Sequence, residues 1–213
     1  MNPALFLLLC AAAVAGLLYA EHTGDMAAKR IFKPLASLAF ILAALAAGAL
    51  GTTFGQIILA GLILCALGDV LLIPKSPSAF FLAGMGAFAA GHGAYIAAFA
   101  HGGLSLGTAA AVGLAGSGAL SIALLTALWK TLGAFRLPVI IYCVIISVMV
   151  AASFGHWSAE PGAQSLRLAL AAAGFALSDV SVARDRFGRE SFLNRLWGLP
   201  LYYGAQCLFA VSV

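Results

Sequence analysis

An all-α membrane protein, with eight transmembrane helices in one bundle, is predicted by three features of this 213-residue sequence. Its composition is 63% hydrophobic and only 8% charged, with a mean hydropathy of +1.08, which excludes a water-soluble globular chain. Apolar runs of roughly 17 to 23 residues recur from end to end, each able to cross about 30 Å of hydrocarbon as a helix. With eight such helices drawn, the loop cations fall almost entirely on one side.

The first helix is expected over 3–20. It lacks a basic start, and Leu18-Tyr19-Ala20 does not put small residues at both cleavage positions, so it reads as a span rather than a signal peptide. Leu9 before Cys10 does not fit a lipoprotein box either. The second, 34–50, opens at Lys33-Pro34, and the third, 55–73, carries Asp69. The fourth, 79–100, is rich in glycine (Gly84, Gly86, Gly91, Gly93), reads as a closely packed helix, and carries His92. The fifth, 106–128, is followed by the sixth, 137–154, which opens with Leu137-Pro138 and carries Tyr142. Asp179 lies in the seventh, 166–183, and Tyr202, Tyr203 and Gln206 in the eighth, 196–213. The longest connection on this reading is 21–33, too short for a soluble domain, so residues 1–213 are expected to form a single helical bundle.

Charge sets the expected topology. Lys29, Arg30, Lys33, Lys75, Lys130, Arg136, Arg184, Arg186, Arg189 and Arg195 fall on one side, and only Arg167 on the other. By the positive-inside rule the basic loops face the cytoplasm and both termini lie outside, in the inner membrane of a bacterial cell. The net charge of +4 is thereby used up in topology and contacts with anionic membrane lipids, and does not indicate nucleic acid. Cys10, Cys65, Cys143 and Cys207 all fall within apolar segments at no metal-like spacing and read as small core residues. His22, His92, His101 and His156 are too scattered for a zinc site.

Only Asp69 and Asp179 place a carboxylate inside long apolar segments, and they do so in matching strings, Ala66-Leu67-Gly68-Asp69-Val70 and Ala176-Leu177-Ser178-Asp179-Val180. An offset of 110 superposes them, and 111 lays Gly93-Ala94-Tyr95 over Gly204-Ala205-Gln206; Lys33-Pro34 has a weaker counterpart in Leu137-Pro138. Matched helices run the same way, so the expected internal repeat is parallel, four plus four. Each aspartate lies four residues before the cytoplasmic end of its apolar run, roughly 6 Å inside at 1.5 Å per residue. Tyr142 and Tyr202 come out roughly 6 to 10 Å deep by the same count, in reach of a carboxyl, with His92 and Gln206 below them as the floor of a cavity. One reading makes the aspartates structural, satisfied by helix-end amides, hydroxyls or water, or paired with Lys33 or Arg184. The other makes them an acid and a base, because neighbouring carboxyls in a poorly hydrated pocket do not both ionise freely.

Through Lys33-Pro34, Gly68-Asp69, Gly91-His92 with Tyr95, Pro138 with Tyr142, Ser178-Asp179, and Tyr202-Tyr203 with Gln206, the chain resembles the YhhN-like integral membrane proteins, the lysoplasmalogenase family. The resemblance spans nearly the whole chain. It implies an eight-helix bundle that hydrolyses the vinyl ether bond of lysoplasmalogens to a fatty aldehyde and a glycerophospho-base, with no metal or other cofactor and a lysophospholipid as substrate. Asp69 and Asp179 are then the expected catalytic pair, and Lys33, His92, Tyr142, Asn194, Arg195, Tyr202, Tyr203 and Gln206 the expected substrate-binding residues. Lys33, Asn194 and Arg195 stand where a phosphate would be.

Three other classes compete with this reading. An intramembrane aspartyl protease is disfavoured because Ala66-Leu67-Gly68-Asp69 lacks that family's first glycine and no Pro-Ala-Leu string is present. A lysolipid or proton-coupled transporter would use intramembrane carboxylates and a repeat, but both aspartates lie near one membrane face rather than at the midplane. A structural lipid scaffold would need the aspartates only for stability.

Overall fold

A computed structural model describes residues 2–74 and 78–213; Lys75, counted above among the loop cations, lies outside the described residues. All eight predicted helices are present, as α1 (Pro3–Thr23), α2 (Met26–Ala47), α3 (Thr53–Leu71), α4 (Ser78–His101), α5 (Thr108–Leu128), α6 (Arg136–Ala159), α7 (Ala163–Phe187) and α8 (Phe192–Ala210), with single 3₁₀ turns at Ala49–Gly51 and Gly133–Phe135. Among the described residues, seven of them are long and apolar enough to cross a membrane. The exception, α8, falls short in hydropathy because it carries Asn194, Arg195, Tyr202, Tyr203 and Gln206; all but Arg195 are buried in the bundle.

The helix ends depart from the apolar runs. The expected 21–33 connection shrinks to Gly24 and Asp25, because Gly24 ends α1 in the left-handed conformation (φ 73°) and the Asp25 carboxylate caps α2, accepting from the Ala27 and Ala28 amides at 2.9 and 3.0 Å. Pro34, expected to open the second helix, lies inside it. Pro138 does stand in the first turn of α6, where the missing amide hydrogen costs no intrahelical bond. α3 stops at Leu71 while α7 runs on to Phe187, so the aspartates are not equally far from their helix ends.

Six helices form a closed ring, α2 against α3, then α4, α6, α7, α8 and back to α2. The ring has the symmetry of the parallel repeat: α2–α3, α3–α4 and α4–α6 are matched by α6–α7, α7–α8 and α8–α2. The outer helices break it. α1 packs on α2 and α8, whereas α5 packs on α6 and leans towards α7 instead of α4.

Glycines let α3 and α4 approach closely. A Cβ on Gly91 would stand 3.1 Å from the Gly61 carbonyl oxygen, and one on Gly84 3.3 Å from that of Gly68. These two pairs are one heptad apart on each helix, so backbone meets backbone along a continuous seam. A side chain at Gly61 would also enter the ring of Tyr95, a fully buried residue. Gly61→Val is therefore expected to cost about 1–3 kcal/mol through overpacking, read as a lower unfolding temperature in detergent; an unchanged temperature would show that the seam can open freely.

Candidate active site

A cavity of about 130 Å³ is lined by the six ring helices together with α5. Most of its wall is apolar, contributed by residues such as Leu72, Phe81, Met85, Phe88, Leu120, Leu124, Val139, Ile146 and Phe187, with α5 supplying one side. Both Asp69 and Asp179 open onto it, together with Lys33, Tyr142 and Tyr202. The shared cavity, not the helix ends, brings the two carboxylates together.

Asp69 is 2% exposed and is held by side chains from two helices, α2 and α8. Lys33 of α2 sets its ammonium 3.3 Å from Oδ1. One turn further along α2, Ser37 donates to Oδ2 at 2.8 Å, and Tyr202 of α8 donates to the same oxygen at 2.7 Å. Behind Tyr202 the donors line up. Gln206, one turn along α8, gives its amide hydrogen to the Tyr202 oxygen at 3.2 Å, and Tyr95 of α4 donates to the Gln206 carbonyl at 3.0 Å.

Asp179 is held differently. Tyr142 of α6 donates to its Oδ2 at 2.7 Å, and His92 Nε2 lies 2.9 Å from the same hydroxyl. Among the described residues no cation pairs with Asp179, so Arg184 does not play the part that a purely structural carboxylate would give it. His92 is fully buried, edge-on to Phe175 at 4.6 Å between ring centres, and its Nδ1 meets no partner among the described residues.

Several predicted binding residues stand elsewhere. His92 and Gln206 do not floor the cavity; they stand behind Tyr142 and Tyr202 and hold those hydroxyls. Tyr203 is buried against Phe40 and Tyr202, with its hydroxyl 3.4 Å from the Lys33 carbonyl, off the cavity wall. Lys33 lines the cavity, but its charge is committed to Asp69 rather than to a free phosphate site. Asn194 and Arg195, expected near a phosphate, lie off the cavity wall among carboxylates. Arg195 binds Glu21 of α1 at 2.7 Å, Asp185 of α7 at 2.8 Å and Glu190 at 2.5 Å, while Asn194 donates to Asp185 at 2.7 Å and to the Arg189 carbonyl at 3.1 Å. With Lys29 on Glu21 at 2.6 Å, this cluster fastens the ends of α1, α2, α7 and α8 and leaves its guanidinium satisfied by carboxylates.

Ser37 was not among the predicted residues; its signal is its place four residues after Lys33, on the same face of α2. Ser117, Ser121 and Cys143 also line the cavity and went unpredicted, since a serine or cysteine in an apolar helix has no distinguishing spacing. The cavity serines Ser117, Ser178 and Ser181 donate to carbonyls three or four residues back on their own helices, which accounts for their hydroxyls without a ligand. All four cysteines are free, and among the described residues no group of three His, Cys, Asp or Glu side chains is arranged to hold a metal ion.

No solved structure matches the chain. The sequence profile of the YhhN family matches residues 28–213, so that all but the first helix and the start of the second fall within it, and the chain belongs to the YhhN family.

Proposed function

We propose that this protein is a membrane-embedded ether hydrolase of the lysoplasmalogenase type, cleaving the vinyl ether bond of a lysoplasmalogen to a fatty aldehyde and glycerophosphoethanolamine or glycerophosphocholine. The observation that carries the reading is two carboxylates on matched helices, Asp69 buried and Asp179 half-buried, opening onto one largely apolar cavity. Vinyl ether hydrolysis needs what such a pair supplies. A carboxylic acid protonates the β carbon, an ionised carboxylate stabilises the oxocarbenium ion and orients the attacking water, and the hemiacetal then collapses. The apolar wall suits the hydrocarbon tail of a lysophospholipid. On the positive-inside reading the end of the cavity lined by Phe81 and Phe187 lies towards the cytoplasm, with both termini outside the inner membrane.

Purified protein given lysoplasmenylethanolamine is expected to release fatty aldehyde, measured by a coupled aldehyde dehydrogenase. A carrier is the second reading, favoured by the repeat-matched contacts of the six ring helices that line the cavity together with α5. Proteoliposomes that move lysolipid or protons while producing no aldehyde would decide for the carrier.

A further inference from the structure

We propose that the two aspartates are fixed in opposite protonation roles by the polarity of their hydrogen-bond chains: Asp69 is the standing carboxylate and Asp179 the proton carrier, with His92 positioning the proton through Tyr142. The assignment rests on the hydrolase reading for its chemistry, but its geometry is independent of any substrate.

Around Asp69 the tyrosine and the ammonium are fixed as donors. An amide nitrogen can only donate, so Gln206 Nε2 occupies the Tyr202 oxygen and leaves the Tyr202 proton no direction but Asp69. Lys33 adds a full positive charge, and the Ser37 hydroxyl lies 2.8 Å from Oδ2, with the Lys33 carbonyl 3.1 Å away as its other acceptor. A proton on Asp69 would have to reverse these bonds and would leave a buried ammonium without a counter-ion.

Asp179 has none of this enforcement. Among the described residues its single donor is a hydroxyl, on Oδ2, and no counter-charge is paired with it. The repeat sharpens the contrast, because the position matching Lys33 is uncharged in either register, Leu137 when the prolines are aligned and Cys143 when the aspartates are. A tyrosine hydroxyl has one proton. With that proton on Asp179 Oδ2, the His92 bond must be donated by Nε2–H, leaving Nδ1 as the bare nitrogen, which is the atom found without a partner. His92 therefore aims the Tyr142 proton at Oδ2 and leaves Oδ1 as the oxygen that carries the transferable hydrogen. Leaving a buried ring nitrogen unpaired costs free energy, so packing alone does not account for a histidine here.

The proton balance closes. The Asp179 O–H breaks as the alkene electron pair forms a C–H bond at the β carbon, giving the oxocarbenium ion and Asp179 carboxylate. Water adds to the cationic carbon and gives a proton to the Asp179 carboxylate, forming the hemiacetal and restoring the Asp179 acid, while Asp69 stays ionised beside the cationic carbon. In the collapse the Asp179 O–H protonates the departing glycerol oxygen as the C–O bond breaks, and the hemiacetal O–H returns its proton to Asp179. One water is consumed and both aspartates regain their starting states.

Infrared difference spectroscopy of the purified, detergent-solubilised protein at neutral pH tests this without substrate. The carbonyl stretch of a protonated carboxylic acid is expected in the wild type and in Asp69→Asn, and absent from Asp179→Asn. A wild type without the band, or a band lost in Asp69→Asn, would overturn the assignment. For His92, the band is expected to shift in His92→Leu and return in His92→Gln, whose amide restores a donor to Tyr142. Turnover is expected to fall about tenfold in His92→Leu with KM unchanged, and to recover in the glutamine variant. A band unmoved in His92→Leu would remove the histidine from this role. Failure of the hydrolase reading shows up separately, as no aldehyde from a wild type whose infrared pattern is as described.

Discussion

Asp179→Asn is expected to lower aldehyde release by about 10²–10⁴-fold, the usual worth of a positioned acid or base, while the protein keeps close to its wild-type unfolding temperature in detergent. Asp69→Asn is expected to lose a similar share of activity and to be much less stable. The difference lies in what each substitution leaves behind. An asparagine at 179 still offers its carbonyl to the Tyr142 hydroxyl, and no cation is orphaned. An asparagine at 69 leaves the Lys33 ammonium, 8% exposed, with no counter-charge in a poorly hydrated cavity. Removing one partner of a buried pair costs about 3–5 kcal/mol, because the other charge stays buried. The double variant Lys33→Met with Asp69→Asn is accordingly expected to regain most of the lost stability and none of the activity. Unfolding temperature and aldehyde release, measured on the same preparations, separate the two effects. Wild-type turnover in Asp179→Asn would end the paired-carboxylate mechanism, and equal stability of the two single variants would show that Lys33 does not depend on Asp69.

The physics that made the helices legible is also what hid their ends. Hydrocarbon thickness sets a minimum apolar length, so each span registers in the sequence, but α2 and α7 continue past their apolar runs as ordinary amphipathic helix. The capping pair Gly24 and Asp25 was the local signal for where α1 stops and α2 starts. The site was legible where depth alone decides. Counting inward placed Tyr142 and Tyr202 level with the aspartates, and each hydroxyl does reach one of them. Depth does not tell which face of a helix a side chain takes. His92 and Gln206 are deep as counted, yet they sit in a second rank, where the tyrosines screen them from the cavity. The fate of Asn194 and Arg195 lay further out of reach. A cation just outside an apolar run looks like a head-group contact, and the carboxylates that claim Arg195 come from the ends of α1 and α7, one of them 174 residues away in the chain.

Arg195 is where that difference gives a large and measurable effect. Arg195→Met is expected to lower stability by about 3 kcal/mol, near the lower end of the range for breaking a buried ion pair, and to leave KM for lysolipid unchanged. Glu21 and Asp185 have side chains only 8% and 16% exposed, so both lose a charge-assisted bond that water restores poorly. Glu190, at 52%, is solvated and loses little. Lys29 still faces Glu21, which keeps the loss below what two fully orphaned carboxylates would bring. Arg195→Lys is expected to recover only part of the loss. One ammonium on a flexible stem cannot reproduce a planar guanidinium that uses Nε on Asp185 and its two outer nitrogens on Glu21 and Glu190. Because this fork draws the ends of α1, α7 and α8 together, its loss is expected to act on the whole bundle and to show as a lower unfolding temperature. A phosphate-binding arginine would give the opposite pattern, a raised KM with stability intact, and finding that pattern would return Arg195 to the substrate site.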